Sequence, residues 1–266
     1  MIVNEPSIAG YVCNRGVRRI FVDLETLGKQ ARQGHLDTWI SPHSPSDIIK
    51  LRQTVKPGHL LVRLNPFNHD TPAEVEFAIK AGADWLMLPM FRSLEEIHHF
   101  SSLVNSRVPI IPLVETSDAF NLLPQLVGQP SLSDIYIGLN DLRIDCGFKF
   151  LFEPLINGML DDAAEILNAH SIPWGFGGVG RIGQGQLPAE LILGEHTRLG
   201  SSHVILSRSF HQNKSSLQSF QQQFDFDAEF QKIASVEARW NISTEEQLSL
   251  NHQHVIDIVR NIMADV

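Results

Sequence analysis

Pro109-Ile110-Ile111-Pro112-Leu113-Val114-Glu115-Thr116 decides how this chain is read, because an unbroken apolar run stops abruptly at a carboxylate. A run of that length without polar alternation is what a strand covered on both faces requires. An acid at the end of such a strand must pair, protonate or hold a cation. Ile137-Gly138-Leu139-Asn140-Asp141-Leu142 repeats the pattern, with an acid just beyond a second apolar strand. Two acids so placed suggest a single metal ion.

Working outward, similar short apolar runs recur at Arg19–Asp23, Thr38–Ser41, Leu60–Leu64, Asp84–Leu88, Asp134–Leu139, Pro173–Phe176 and His203–Ser207, which with Pro109–Val114 makes eight candidate strands. Helical segments separate them. Thr71-Pro72-Ala73-Glu74 and Ser93-Leu94-Glu95-Glu96 have the form of capping boxes. After Ser93, the spacing of Leu94, Ile97, Phe100 and Leu103 predicts one buried helical stripe. Gly58 and Gly82 stand just before strands, where turns and helix ends need positive φ. Eight alternating units predict an α/β protein, a (β/α)8 TIM barrel, with an open doubly wound sheet as the competitor. The barrel domain is expected over 1–210 and a C-terminal helical extension over 211–266. That extension carries Leu248, Val255, Ile258, Val259 and Ile262 at helical spacing, a stripe that must bury against its own barrel or at a subunit interface.

The chain has 266 residues, 43% hydrophobic, enough for one substantial core. A formal charge of -9 without a basic cluster argues against a nucleic-acid surface. The 2 cysteines, Cys13 and Cys146, lack a CxxC partner, so neither a disulfide framework nor a structural zinc site is expected. No apolar run approaches the roughly 20 residues that span a bilayer, and no basic-then-apolar leader is evident. These features predict a cytoplasmic protein with no membrane partner.

In a barrel, the C-terminal strand ends and the loops after them form the active face. Asp23 and Glu25 close the first candidate strand, His43 follows the second, and Arg63 ends the third. Glu115 ends the fifth, and Asp141 follows the sixth. Glu115 and Asp141, on neighbouring strands, suit one hard cation, Mg2+ or Mn2+, with positions left for water and substrate oxygens. His43, in a proline-stiffened loop, is the candidate general base. Asp23 and Glu25 are candidates for groups that orient a metal-bound water, or for salt bridges to Lys29 or Arg32. Gly175-Phe176-Gly177-Gly178-Val179-Gly180-Arg181-Ile182-Gly183 reads either as a lid or tight turn, or as a phosphate cradle assisted by Arg181.

Val62-Arg63-Leu64-Asn65-Pro66, Pro112-Leu113-Val114-Glu115-Thr116 and Gly138-Leu139-Asn140-Asp141-Leu142 resemble, in order and spacing, the HpcH/HpaI aldolase and citrate lyase β-subunit family of the phosphoenolpyruvate/pyruvate barrel superfamily. Phe21-Val22-Asp23-Leu24-Glu25 and Ala81-Gly82-Ala83-Asp84 leading into Leu86-Met87-Leu88-Pro89-Met90 extend the resemblance, which covers roughly Val17 to Phe210. The resemblance implies a metal-dependent carbon–carbon lyase acting on a 2-oxo acid or its aldol adduct. Glu115 and Asp141 would be the metal ligands, and Arg63 would bind the keto or enolate oxygen. Backbone amides at Leu139 and Asn140 would hold the substrate carboxylate. A trimer or hexamer with exchanged C-terminal helices would follow. One departure matters. Family aldolases carry a histidine followed by alanine-proline beside the first strand's acid, whereas Glu25 is followed by Thr26-Leu27-Gly28. A lyase for malyl- or citramalyl-type coenzyme A thioesters, or a non-catalytic scaffold barrel, are therefore the alternatives.

Overall fold

The structure, a computed structural model, describes residues 1–29, 42–129, 132–210, 216–223 and 225–265. Among these described residues, seven parallel strands form one curled sheet in strict chain order: β1 (Ile20–Asp23), β2 (Leu60–Arg63), β3 (Trp85–Leu88), β4 (Ile110–Val114), β5 (Ile135–Ile137), β6 (Trp174–Val179) and β7 (His203–Leu206). The helices on the outside are α1 (Pro6–Cys13), α2 (Pro45–Arg52), α3 (Thr71–Ala81), α4 (Leu94–Val104), α5 (Ser117–Asn121), α6 (Leu123–Leu126), α7 (Leu139–Cys146), α8 (Met159–Ala169) and α9 (Ala189–Leu199). This is a TIM-barrel-like fold, as the alternation of elements predicted.

Strand residues alternate between two apolar cores, as a period of two requires. Ile20, Val22, Leu60, Val62, Leu86, Leu88, Ile110 and Val114 pack outward against helices. Phe21, Leu61, Met87, Ile111, Leu113 and Tyr136 form a separate cluster inside the sheet's curl. The same parity carries Asp23, Arg63 and Glu115 inward, one step beyond Phe21, Leu61 and Leu113.

The eighth stave differs from the sequence reading. Thr38–Ser41 lies outside the described residues, and β1 pairs directly with β2 from Ile20↔Leu60 to Asp23↔Arg63, so no strand stands between them. Residues 1–3 instead run along the free edge of β1. Ile2 bridges Phe21 in parallel, and Phe21 N–H donates to Met1 O at 2.9 Å. The Ile2 side chain joins Ile205 of β7 against the interior cluster.

Local capping signals had mixed outcomes. The Ser93–Glu96 box forms and starts α4, whose Ile97 and Phe100 are buried. The Thr71–Glu74 box does not form, because Asp70 takes the N-cap position. Glu74 instead accepts from Asn65 Nδ2 at 2.7 Å, fastening the loop after β2.

Beyond β7 come α10 (Leu217–Gln223), α11 (Phe226–Asn241) and α12 (Glu245–Ala264). The stripe on α12 buries Val255 and Val259 in the chain's own core, with Ile258 packed beside them. Asn251 Nδ2 donates to Leu191 O at 3.1 Å and Glu195 Oε1 at 3.0 Å, and Trp240 Nε1 donates to Glu190 O at 2.8 Å. Gly194, in the middle of α9, permits this approach: a Cβ there would meet Asn251 Nδ2 at 2.6 Å. Among the described residues no helix is long and apolar enough to cross a membrane.

Candidate active site

Asp23 and Arg63 face each other across the β1–β2 register. Arg63 grips Asp23 with two donors, Nε to Oδ1 and Nη2 to Oδ2, both at 2.9 Å. Its third nitrogen, Nη1, lies 3.3 Å from Glu25 Oε2. Lys29 Nζ completes the group, 2.9 Å from Asp23 Oδ2 and 3.6 Å from Glu25 Oε2. All four side chains are buried or nearly so. Burial by itself would raise the Asp23 carboxyl, but the charges and hydrogen bonds of Arg63, then Lys29, outweigh it and hold it far below the usual carboxylate range. Burial likewise opposes charge on Arg63, and Asp23, Glu25 and Glu115 overcome it, so the guanidinium is permanently charged. Thus the salt-bridge role of Asp23 and Glu25 is realised, with Arg63 as the principal partner. Arg32 lies outside the described residues.

Glu115, 2% exposed, sits at the end of β4. Met90 N–H donates to its Oε1 at 3.1 Å. Met90 has φ +54, an uncommon value for a residue with a side chain. The sequence reading included Met90 in a family-like stretch but gave it no place in the site. Thr116, rather than Glu115, caps α5, its Oγ1 accepting from Ala119 N–H at 3.0 Å. On the neighbouring strand, a Cβ on Gly138 would lie 2.7 Å from Glu115 Oε2, so only glycine leaves this carboxylate its place. Gly138 then opens α7, putting Leu139 and Asn140 in its first turn, where backbone N–H groups lack helical partners. Asp141 follows in the same turn, 6% exposed.

A cavity of about 150 Å³ opens at this face. Arg63, Glu115, Leu139 and Asn140 line it. Asp141 lies one residue beyond, and Asp23 and Glu25 contact Arg63 instead of lining the cavity. His43 is set apart. Its Nδ1 accepts Asp23 N–H at 3.0 Å, which assigns the proton of the neutral ring to Nε2. Burial, against the pull of Asp23 and Asp47, lowers its pKa and keeps that ring neutral. Thr26, in the place of the family histidine, is exposed and fastened through its N–H to Asn65 Oδ1 at 2.9 Å.

The glycine run also resolves. Gly175 to Val179 belong to β6. A Cβ on Gly175 would fall 2.7 Å from His203 Cδ2 and 2.8 Å from Tyr136 Cε2, and one on Gly177 would fall 3.0 Å from Leu139 Cδ1. These glycines serve close packing. The turn proper begins at Gly180, and Arg181 N–H donates to Ser209 Oγ at 3.2 Å.

Among the described residues no three His, Cys, Asp or Glu side chains gather as a metal site. A cation here would rest on two carboxylates, the donor set that suits Mg2+ with its retained waters. Asp23, Glu25, Glu115 and Asp141 against Arg63 and Lys29 leave a formal excess of two negative charges, which a divalent ion would balance.

No family model matches this sequence, and no curated protein matches it. Solved structures do. A HpcH/HpaI aldolase/citrate lyase family protein from Burkholderia cenocepacia is similar with a TM-score of 0.60 at 15% identity, over 77% of this chain and 84% of that one. Protein CitE from Mycobacterium tuberculosis, in complex with magnesium and acetate, gives 0.60 at 12% identity over 96% and 94%. A citrate lyase beta subunit from the same organism, complexed with oxaloacetate and magnesium, gives 0.57 at 14% identity over 77% and 88%. The likeness is one of fold, and the proteins that share it come from the family the motifs resemble.

Proposed function

We propose that this chain is a divalent-metal-dependent carbon–carbon lyase that makes or breaks an aldol bond of a 2-oxo acid. The observation that carries this reading is Arg63, clamped by Asp23 beside Glu115 on the wall of the cavity. Glu115 and Asp141 would hold Mg2+ or Mn2+, as their hard oxygen donors fit. Such an ion supplies Lewis acidity toward the carbonyl oxygen of a 2-oxo acid.

The chain's own residues do the rest. The Asp23 clamp fixes the plane of the guanidinium, so Arg63 meets a developing enolate oxyanion without reorganising, an effect of about 3–4 kcal/mol for one comparable donor. The first-turn amides of α7, at Leu139 and Asn140, offer the substrate carboxylate the positive end of a helix. Lys29 offsets the second carboxylate of the clamp, so that Arg63 is not wholly neutralised by Asp23 and Glu25.

A non-catalytic barrel is the second reading, and one observation favours it. His43 accepts a backbone N–H at Nδ1, and position 26 is a threonine, so neither place offers the cavity a ready base. Deuterium exchange into the methyl group of pyruvate separates the two. Exchange that requires Mg2+ or Mn2+ and is lost in Glu115→Gln is the expected result. Absence of exchange with metal bound would refute the lyase.

A further inference from the structure

The charged groups at the cavity stand on one side of it, at the ends of β2 and β4. Along β5, β6 and β7 a second wall is formed by Tyr136, Gly177, Gly178 and Ile205, joined by Ile2 and Leu151, and none of these residues carries a charge. Its single side-chain polar atom is engaged: Tyr136 Oη donates to Gly177 O at 2.7 Å and accepts from Ile205 N–H at 2.8 Å. Of the β6 glycines, Gly177 and Gly178 line the cavity, whereas Gly175 packs against His203 and Tyr136. The whole cavity, about 150 Å³ including the space beside Arg63, Glu115 and Asn140, leaves room for only a compact group against this wall.

We propose that the site takes a 2-oxo acid whose substituent is compact, uncharged and apolar, of branched-aliphatic size, laid against Ile205, Leu151 and the β6 glycines. The inference rests on the reading of the site as one for 2-oxo acids and adds the substrate class. Each CH2 buried there tightens binding about fourfold. A carboxylate directed at the same wall loses its hydration and finds no cation there among the described residues in exchange.

The test is calorimetric titration of the full chain, in the presence of Mg2+, with pyruvate, 4-methyl-2-oxopentanoate and oxaloacetate. The expected result is at least about tenfold tighter binding of 4-methyl-2-oxopentanoate than of either other acid, somewhat less than three fully buried carbons would give. Affinity that is flat across the three, tighter binding of oxaloacetate, or no binding by any of them overturns the proposal. In Ile205→Phe the preference for the branched acid over pyruvate should fall about tenfold, and Ile205→Val should retain it. If Ile205→Phe does not fold, Leu151→Phe carries the same expectation. A preference that survives whichever variant folds overturns the assignment of the wall. Pyruvate deuterium exchange reads the lyase separately: preference without exchange sinks the lyase and leaves the wall, and exchange without preference does the reverse.

Discussion

Replacing Lys29 by methionine isolates the charge balance on which the proposed role of Arg63 depends. The ammonium lies 2.9 Å from Asp23 and 3.6 Å from Glu25. At an effective dielectric of about 20 those separations correspond to attractions of about 6 and 5 kcal/mol, before repulsion from Arg63 and the desolvation of the charges offset most of them. With a side chain only 5% exposed, Lys29 receives little solvent screening, so its loss should cost about 3–5 kcal/mol, the usual result of stranding a buried charge. The cost should depend on pH. Asp23 has a lowered folded pKa, so its contribution is present above the unfolded carboxylate value of about 4 and is lost as pH falls through the folded one. Without Lys29 that folded value rises, Asp23 is protonated sooner, and the stranded charge is relieved. The difference between wild type and Lys29→Met should therefore be full near pH 7 and narrow only as pH falls below the unfolded carboxylate value of about 4. Urea unfolding followed by circular dichroism at about pH 7 and about pH 3 measures it. A penalty under about 1 kcal/mol at pH 7, the range of an exposed ion pair, or one equal at both pH values, would refute the reasoning.

Three further outcomes follow from close contacts and burial. Gly138→Ala puts a methyl 2.7 Å from Glu115 Oε2; it should cost about 1–3 kcal/mol and weaken Mg2+ binding in calorimetry, and unchanged metal affinity counts against Glu115 as a ligand. Gly194→Ala sets two effects in opposition: helix propensity favours alanine by about 1 kcal/mol, but its Cβ would meet Asn251 at 2.6 Å and Trp240 at 2.9 Å. Sterics should win, lowering Tm and speeding amide exchange along α12; a raised Tm contradicts the docking. His196 is buried, which with the nearby His203 pushes its pKa down to about 3. The unfolded chain takes up this proton near pH 6.5 and the folded chain does not, so stability is full above that pH and falls below it, by about 2 kcal/mol at pH 5. His196→Gln should flatten that decline in unfolding measured between pH 7 and pH 5, and an unaltered slope would show that His196 does not cause it.

Ser93 and Thr71 illustrate how far local reading reaches. The same capping pattern formed at one and failed at the other, since Asp70 took the N-cap position and Asn65, 9 residues upstream, engaged the Glu74 carboxylate. The rule that C-terminal strand ends share one face was more dependable, since it placed Asp23, Arg63 and Glu115 together. His43 was read as a general base after the second candidate strand, but where its ring is held depends on a backbone N–H 20 residues away, which no periodicity reports.

The amino-acid sequence by itself determined the seven described strands, the helices between them and the face on which the charged residues gather, because burial periodicity and positive-φ glycines are properties of a few adjacent residues. Only the tertiary structure decided that residues 1–3 lie along β1, that Arg63 and Lys29 share the carboxylates of Asp23 and Glu25, that the β6 glycines pack closely against His203, Tyr136 and Leu139, and that α12 docks on α9. Those outcomes depend on which side chains meet after the chain closes on itself, and the free energy of a buried charge or a close contact is set by that meeting.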